Sequence, residues 1–184
     1  MKKNLPNLIS GYRLVMAPVL LVFAFLGYRD LFAWGLLVSL LSDALDGFLA
    51  RRFGLTSKKG SKLDSNADTL TFVAGIVGIF VFEMGFVREQ LLFILLIFGL
   101  FIVELLLSYW KYGGVSSFHT YLGKSAACLL SIFVVSLFFF GFIGWFFYLA
   151  TVVAVLGYLE NIILVLRFPK WKSNVRGLYW VLKK

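Results

Sequence analysis

The stretch from Leu40 to Arg52 reads LLSDALDGFLARR. It continues an apolar run that begins at Leu31, and a run of that length reads as a membrane helix. Yet it contains Asp43 and Asp46, followed by Gly47, Ala50 and Arg51. A carboxylate at the centre of a bilayer costs at least ~2.5–3.5 kcal/mol on insertion scales. Acids held against that cost are expected to have work to do.

The rest of the chain supports the membrane reading. Of its 184 residues, 61% are hydrophobic and 15% charged, against about 25% charged in soluble domains. A soluble core of this size cannot hide so much apolar surface, so lipid must cover part of it. The lone cysteine, Cys128, excludes a disulfide framework and reads as a small packing residue in an apolar run. Met1-Lys2-Lys3 before an apolar run resembles a secretory signal. No small-residue cleavage site closes that run, however, and further spans follow it.

Six spans of roughly 20 residues match a hydrocarbon core of about 30 Å. They run approximately Leu5–Gly27, Leu31–Arg51, Ser61–Phe82, Gln90–Trp110, Tyr121–Gly141 and Trp145–Arg167. The expected fold is all-α: one transmembrane domain over residues 1–184, a bundle of six helices with antiparallel neighbours. The net charge of +9 is distributed unevenly. Arg29 alone lies between spans one and two, Arg88 alone between three and four, and no basic residue between five and six. The other lysines and arginines gather at the two ends of the chain, in 52–60 and around 111–120, which predicts that these face the cytoplasm. Topology accounts for the positive charge without nucleic acid. The basic tail after Phe168, with Trp171, Tyr179 and Trp180, reads as an interfacial segment at headgroup depth.

Four of the acids form a pattern. Asp43 and Asp46 are three apart on the second span, and Asp64 and Asp68 are four apart on the third. Both spacings place side chains on one helix face. A short loop joins the two spans, so all four carboxylates are expected to converge near the cytoplasmic side. Four carboxylates in a low-dielectric pocket repel one another unless protons or cations neutralise them. Oxygen-only ligands suit Mg²⁺, Mn²⁺ or Ca²⁺, and two such ions suit phosphate chemistry. Asp43, Asp46, Gly47 and Ala50 form one stripe, small beside the acids, with room for a ligand or for close helix packing. Arg51 ends the helix as a topological anchor or a fork for phosphate oxygens, and Gly60 stands just before the third span.

The order Asp43-x2-Asp46-Gly47-x2-Ala50-Arg51-x8-Gly60-x3-Asp64-x3-Asp68 resembles the signature of the CDP-alcohol phosphatidyltransferases, with all eight fixed positions and every spacing intact. The resemblance implies an enzyme of phospholipid biosynthesis in the cell (inner) membrane, with its site on the cytoplasmic side. A CDP-linked lipid such as CDP-diacylglycerol would be the donor, a small alcohol the acceptor and CMP the leaving group, with two Mg²⁺ or Mn²⁺ ions on the diphosphate. Asp43, Asp46, Asp64 and Asp68 would be metal ligands, with Asp68 also the general base. Gly47 and Ala50 would line the cytidine site, Arg51 would contact the diphosphate, and Gly60 completes the donor-binding motif. A homodimer is implied by the same resemblance. The opening Asn4-Leu5-Pro6-Asn7 resembles the family's first helix, where Asn7, Ser10 and Arg13 fall at three-residue steps on one face of the donor site. Arg13, inside a span, needs a partner: the diphosphate, the aspartates or the interface.

The acceptor is less legible. Glycerol 3-phosphate, an inositol phosphate and serine all fit the resemblance. Members that use glycerol 3-phosphate often carry a lysine after the fourth aspartate, where this chain has Thr69. Lys58, Lys59, Lys62, Lys111 and Lys124, expected near the cytoplasmic mouth, would suit a phosphorylated alcohol, although topology alone would also place lysines there. A divalent-cation transporter, or a transferase of a CDP-amino alcohol onto diacylglycerol, are the alternatives. His119 reads as a loop residue, and Glu104 and Glu160 as acids that either pair with Lys111, Lys124 or polar groups such as Asn161, or are partly protonated.

Overall fold

In the computed structural model the backbone is described for residues 5–53, 58–114, 118, 120–169 and 175–183, and the side chains for 9–45, 66–114, 118, 120–169 and 175–183. The described residues form helices and connecting turns, with no strand among them. The helices are α1 (Leu5–Phe25), α2 (Arg29–Phe53), α3 (Lys58–Phe82), α4 (Met84–Glu89), α5 (Leu91–Tyr112), α6 (Tyr121–Phe140), α7 (Gly144–Arg167) and α8 (Leu178–Leu182). The six expected spans coincide with α1, α2, α3, α5, α6 and α7, so the all-α membrane reading holds.

Some boundaries differ from expectation, for local reasons. Arg51 does not end its helix, because α2 continues to Phe53. Likewise Gly60 lies inside α3, which begins at Lys58. Arginine and lysine are good helix formers, so a charged stretch expected to be loop extends both helices beyond the apolar core. The short α4 and α8 escape a reading tuned to 20-residue runs.

By length and apolarity, α5, α6 and α7 are membrane-spanning candidates, and α1 and α3 contain shorter apolar stretches at Ile9–Phe25 and Asn66–Phe82. α1, α2 and α3 have 21, 25 and 25 residues, long enough to cross about 30 Å at 1.5 Å per residue. Large apolar side chains face outward throughout, among them Leu92, Trp110 and Phe140, each at least 80% exposed. Such a surface calls for lipid. Cys128 is part of it: it is exposed on α6, not buried as its apolar neighbours suggested.

The chain divides into two compact units, Met1–Arg88 and Glu89–Lys184. In the first, α1 packs most closely on α3 and also on α2. One stripe of α1 is buried at Ser10, Arg13, Ala17, Leu20 and Ala24, and Phe32, Leu36 and Ser39 of α2 and Ala67, Thr71 and Ala74 of α3 are buried as well. Glycine permits the close approach. A Cβ on Gly78 of α3 would run into the ring of Phe32 on α2. At the end of this unit remote from the α2–α3 connection, Arg29 donates to Glu83 at 2.6 Å.

In the second unit α7 packs against both α5 and α6. Gly157 of α7 lies so close to Gly123 of α6 that an added Cβ would stand 3.6 Å from its Cα. The end of α7 is tied down from two sides. Lys111 Nζ donates to the carbonyls of Val165 and Leu166 at 2.8 and 2.7 Å, and Tyr112 Oη to that of Phe168 at 2.8 Å. These bonds satisfy carbonyls that a helix end leaves without partners. The tail is then laid across. Val175 N donates to Phe118 O at 2.9 Å, Tyr121 N to Arg176 O at 3.2 Å, and Leu178 N to Glu160 Oε1 at 2.7 Å. Val175, Leu178 and Val181 pack on a buried cluster of Phe118, Leu164 and Val165.

Candidate functional site

Arg13 is the largest charged side chain in the interior of the first unit, at 1% exposure. Its guanidinium joins two other helices. Nη1 donates to Asp43 Oδ1 on α2 at 2.5 Å, and Nη2 donates to Asp68 Oδ1 on α3. Register explains the meeting. Arg13 lies eight residues into α1 and Asp68 ten into α3, while Asp43 lies ten before the end of α2, which runs the opposite way. At 1.5 Å per residue all three sit about 12–15 Å from the same ends of their helices. The small Ala67 beside Asp68, fully buried, lets α3 come near.

The three side chains are not equally enclosed. That of Arg13 is 2% exposed, while those of Asp43 and Asp68 are 43% and 49% exposed. The guanidinium is therefore the floor and the carboxylates are the rim. Of the three partners that the sequence offered Arg13, the structure shows the aspartates.

Ser10, one turn before Arg13 on the same face, is buried at 2%. Asn7 belongs to α1 as well, but its side chain lies outside the described residues. Asp46, Gly47, Ala50 and Arg51 belong to α2, and Gly60 and Asp64 to α3, with their side chains also outside the described residues. Two of the four expected carboxylates are thus seen brought together. The others stand on the same helices, three residues after Asp43 and four before Asp68. Among the described residues no three ligating side chains come together.

The sequence reading passed over Ser39 and Thr71, at 0% and 3% exposure. Their hydroxyl oxygens have no hydrogen-bond partner among the described residues. They stand four residues before Asp43 and three after Asp68, on the stripes that face α1. Counting helical steps away from each acid would have found them.

The second unit holds a separate polar group. Glu104 of α5, 9% exposed, is hydrogen-bonded by the side chain of Asn161 on α7, one of the partners expected for it. Glu160 takes neither lysine and accepts from the Leu178 backbone instead. Gly123-Lys124-Ser125 opens α6, capped by Thr120, whose Oγ1 accepts from Gly123 N at 3.0 Å. His119 lies outside the described residues.

The model of the CDP-alcohol phosphatidyltransferase family matches residues 3–156. The chain belongs to that family. Three similar relatives illustrate the match. The CDP-diacylglycerol--glycerol-3-phosphate 3-phosphatidyltransferase of Salmonella choleraesuis (strain SC-B67) is 34% identical over 84 residues, 42% of this chain and 44% of the relative. The probable phosphatidylglycerophosphate synthase of Mycobacterium tuberculosis (strain ATCC 25618 / H37Rv) is 32% identical over 82 residues, 41% of this chain and 39% of the relative. The chloroplastic CDP-diacylglycerol--glycerol-3-phosphate 3-phosphatidyltransferase 1 of Oryza sativa subsp. japonica is 38% identical over 106 residues, 54% of this chain and 30% of the relative. The chain spans less than half the length of these relatives. No solved structure matches it. The family match runs through Arg13, Asp43 and Asp68, so these side chains meet within the CDP-alcohol phosphatidyltransferase region.

Proposed function

We propose that this chain transfers a phosphatidyl group from CDP-diacylglycerol to glycerol 3-phosphate, releasing CMP, as a step of phospholipid biosynthesis. The observation that carries the reading is the junction of Asp43, Asp68 and Arg13 at one depth of three helices, inside the matched family region. The choice of acceptor leans on the glycerol 3-phosphate named for the relatives.

Metal ions fit the donor set. The motif carries four aspartates against the one guanidinium that pairs with Asp43 and Asp68, which leaves a formal excess of negative charge that hard divalent cations would neutralise. Asp43, Asp46, Asp64 and Asp68 would hold Mg²⁺ or Mn²⁺, with Ca²⁺ an occupant of the same ligand type. When bound, the ions supply charge stabilisation to a diphosphate. The remaining work falls to this chain's own residues. Asp68, half exposed at the rim, would take the proton of the acceptor hydroxyl, a role its exposure supports. That oxygen then bonds to the lipid-linked phosphorus as its bond to the CMP oxygen breaks. Arg51 would bind the diphosphate as a bidentate fork, and the small Gly47 and Ala50 would leave space for cytidine. Asn7, Ser10 and Gly60 complete the donor site in this reading. The lipid bilayer keeps the donor's acyl chains beside the helices, so only its headgroup needs to enter polar surroundings. The motif is assigned to the cytoplasmic face from the lysine and arginine distribution, and a homodimer from family likeness.

A cation-transit path is disfavoured by Arg13, whose guanidinium occupies the floor that such a path would cross. The deciding experiment incubates the purified chain with CDP-diacylglycerol, Mg²⁺ or Mn²⁺, and glycerol 3-phosphate, an inositol phosphate or serine in parallel, and measures CMP. Release with glycerol 3-phosphate alone is expected. Folded protein that releases none with any acceptor removes the transferase reading. Release from a CDP-amino alcohol and diacylglycerol would replace it with the related one.

A further inference from the structure

Three features of the Arg13 junction bear on how the site exists before any ion enters. The two carboxylates take different nitrogens of one guanidinium, Nη1 for Asp43 and Nη2 for Asp68. That is the planar fork of arginine used across two helices, which a lysine cannot reproduce. The carboxylates are also open at the rim while the cation is enclosed beneath them. An incoming ion would therefore meet the acids first and the guanidinium last. Finally, α1 contributes this cation from within its buried stripe, between Ser10 and Ala17. Two carboxylates gathered on one guanidinium repel each other, and without that cation their repulsion would act to separate α2 and α3.

We propose that Arg13 is the built-in counter-cation of the site: in the metal-free protein it holds Asp43 and Asp68 in ligating position, and a divalent ion competes with it for those carboxylates. The inference rests on the metal-binding reading above. It makes Arg13 a positioning residue. The site is ready-made without metal, and the ion replaces part of an existing interaction instead of assembling the acids from repulsion. Removing the guanidinium should thus make the fold lean on metal.

The test follows thermal unfolding of the detergent-solubilised full chain by tryptophan fluorescence, in chelator and across a Mn²⁺ titration, for the natural sequence, Arg13→Gln and Arg13→Lys. In chelator Arg13→Gln should melt well below the natural chain. Saturating Mn²⁺ should raise its Tm by at least about twice as much as it raises that of the natural chain, at a lower half-saturating concentration. Arg13→Lys, with the charge but without the fork, should fall between. Arg13→Gln that folds only with Mn²⁺ present is the same result in extreme form. If it folds in neither condition, Arg13→Lys decides: a larger Mn²⁺ shift than the natural chain supports the proposal, and an equal one overturns it. An Arg13→Gln loss of Tm that is identical with and without Mn²⁺ also overturns it, leaving Arg13 as an ordinary structural pair. That outcome leaves the metal reading standing, because Mn²⁺ still stabilises both proteins. Mn²⁺ that stabilises neither protein overturns both readings.

Discussion

Asp68 has two neighbours to serve, the guanidinium beneath it and whatever enters from the rim, and its half-exposed side chain allows both. Asp68→Asn separates these duties. The amide keeps an oxygen that accepts from Arg13 but loses the negative charge and the capacity to take a proton. Turnover should fall by about 10²–10⁴-fold, the usual span for losing a general base, while donor binding changes much less. CMP release and equilibrium binding of CDP-diacylglycerol check the two halves, and near-normal turnover would strip Asp68 of the role. At this scale the sequence was partly legible. The spacing of the acids announced a site, but it could not say which of three partners Arg13 takes. Residues 13, 43 and 68 are far apart in the chain, and helical periodicity reports only on neighbours within a few turns. The same limit hid Leu178 as the partner of Glu160.

Helix positions were the most legible element-scale feature, because hydrocarbon thickness imposes a length on them. The expected Tyr121–Gly141 span and the observed Tyr121–Phe140 helix differ by one residue. The packing between helices was not legible, because contact depends on which faces meet. Gly78 against Phe32 shows the stakes. Gly78→Leu should destabilise the first unit by about 1–3 kcal/mol, as overpacking generally does, and Phe32→Ala in the same chain should recover part of the loss. A double-mutant cycle from detergent unfolding measures that coupling, and additive effects would deny the contact. Glu160 does comparable work in the second unit. Glu160→Ala leaves the Leu178 N–H without its partner, at about 1.5–3 kcal/mol for a hydrogen bond to a charged group. Faster tryptic cleavage after Arg176 should report the loosened tail. Unchanged cleavage would mean the apolar contacts of Val175 and Val181 suffice alone.

Across the whole molecule, charge placement carries the orientation. Arg29 and Arg88 are the basic residues expected on one side of the membrane, and all the others except Arg13, buried within α1, are expected on the other. In a Cys128→Ser background, single cysteines at Ser57 and Phe142 should react with an impermeant thiol reagent from opposite faces, Ser57 from the cytoplasm. Labelling of the cysteine at position 57 from outside intact cells would reverse the assignment and place the carboxylates at the wrong surface for a cytoplasmic acceptor.

α5 carries a different kind of constraint. Glu104, Ser108, Lys111 and Tyr112 face the rest of its unit, while Leu92, Leu95 and Leu106 are turned away from it. A medium without fixed shape asks only that they be greasy, so Leu, Ile, Phe and Val are interchangeable there in a way they are not around Phe32. A randomised library should therefore accept nearly any apolar residue at Leu92, Leu95 and Leu106. Gly78, where a Cβ would run into the ring of Phe32, should tolerate almost nothing.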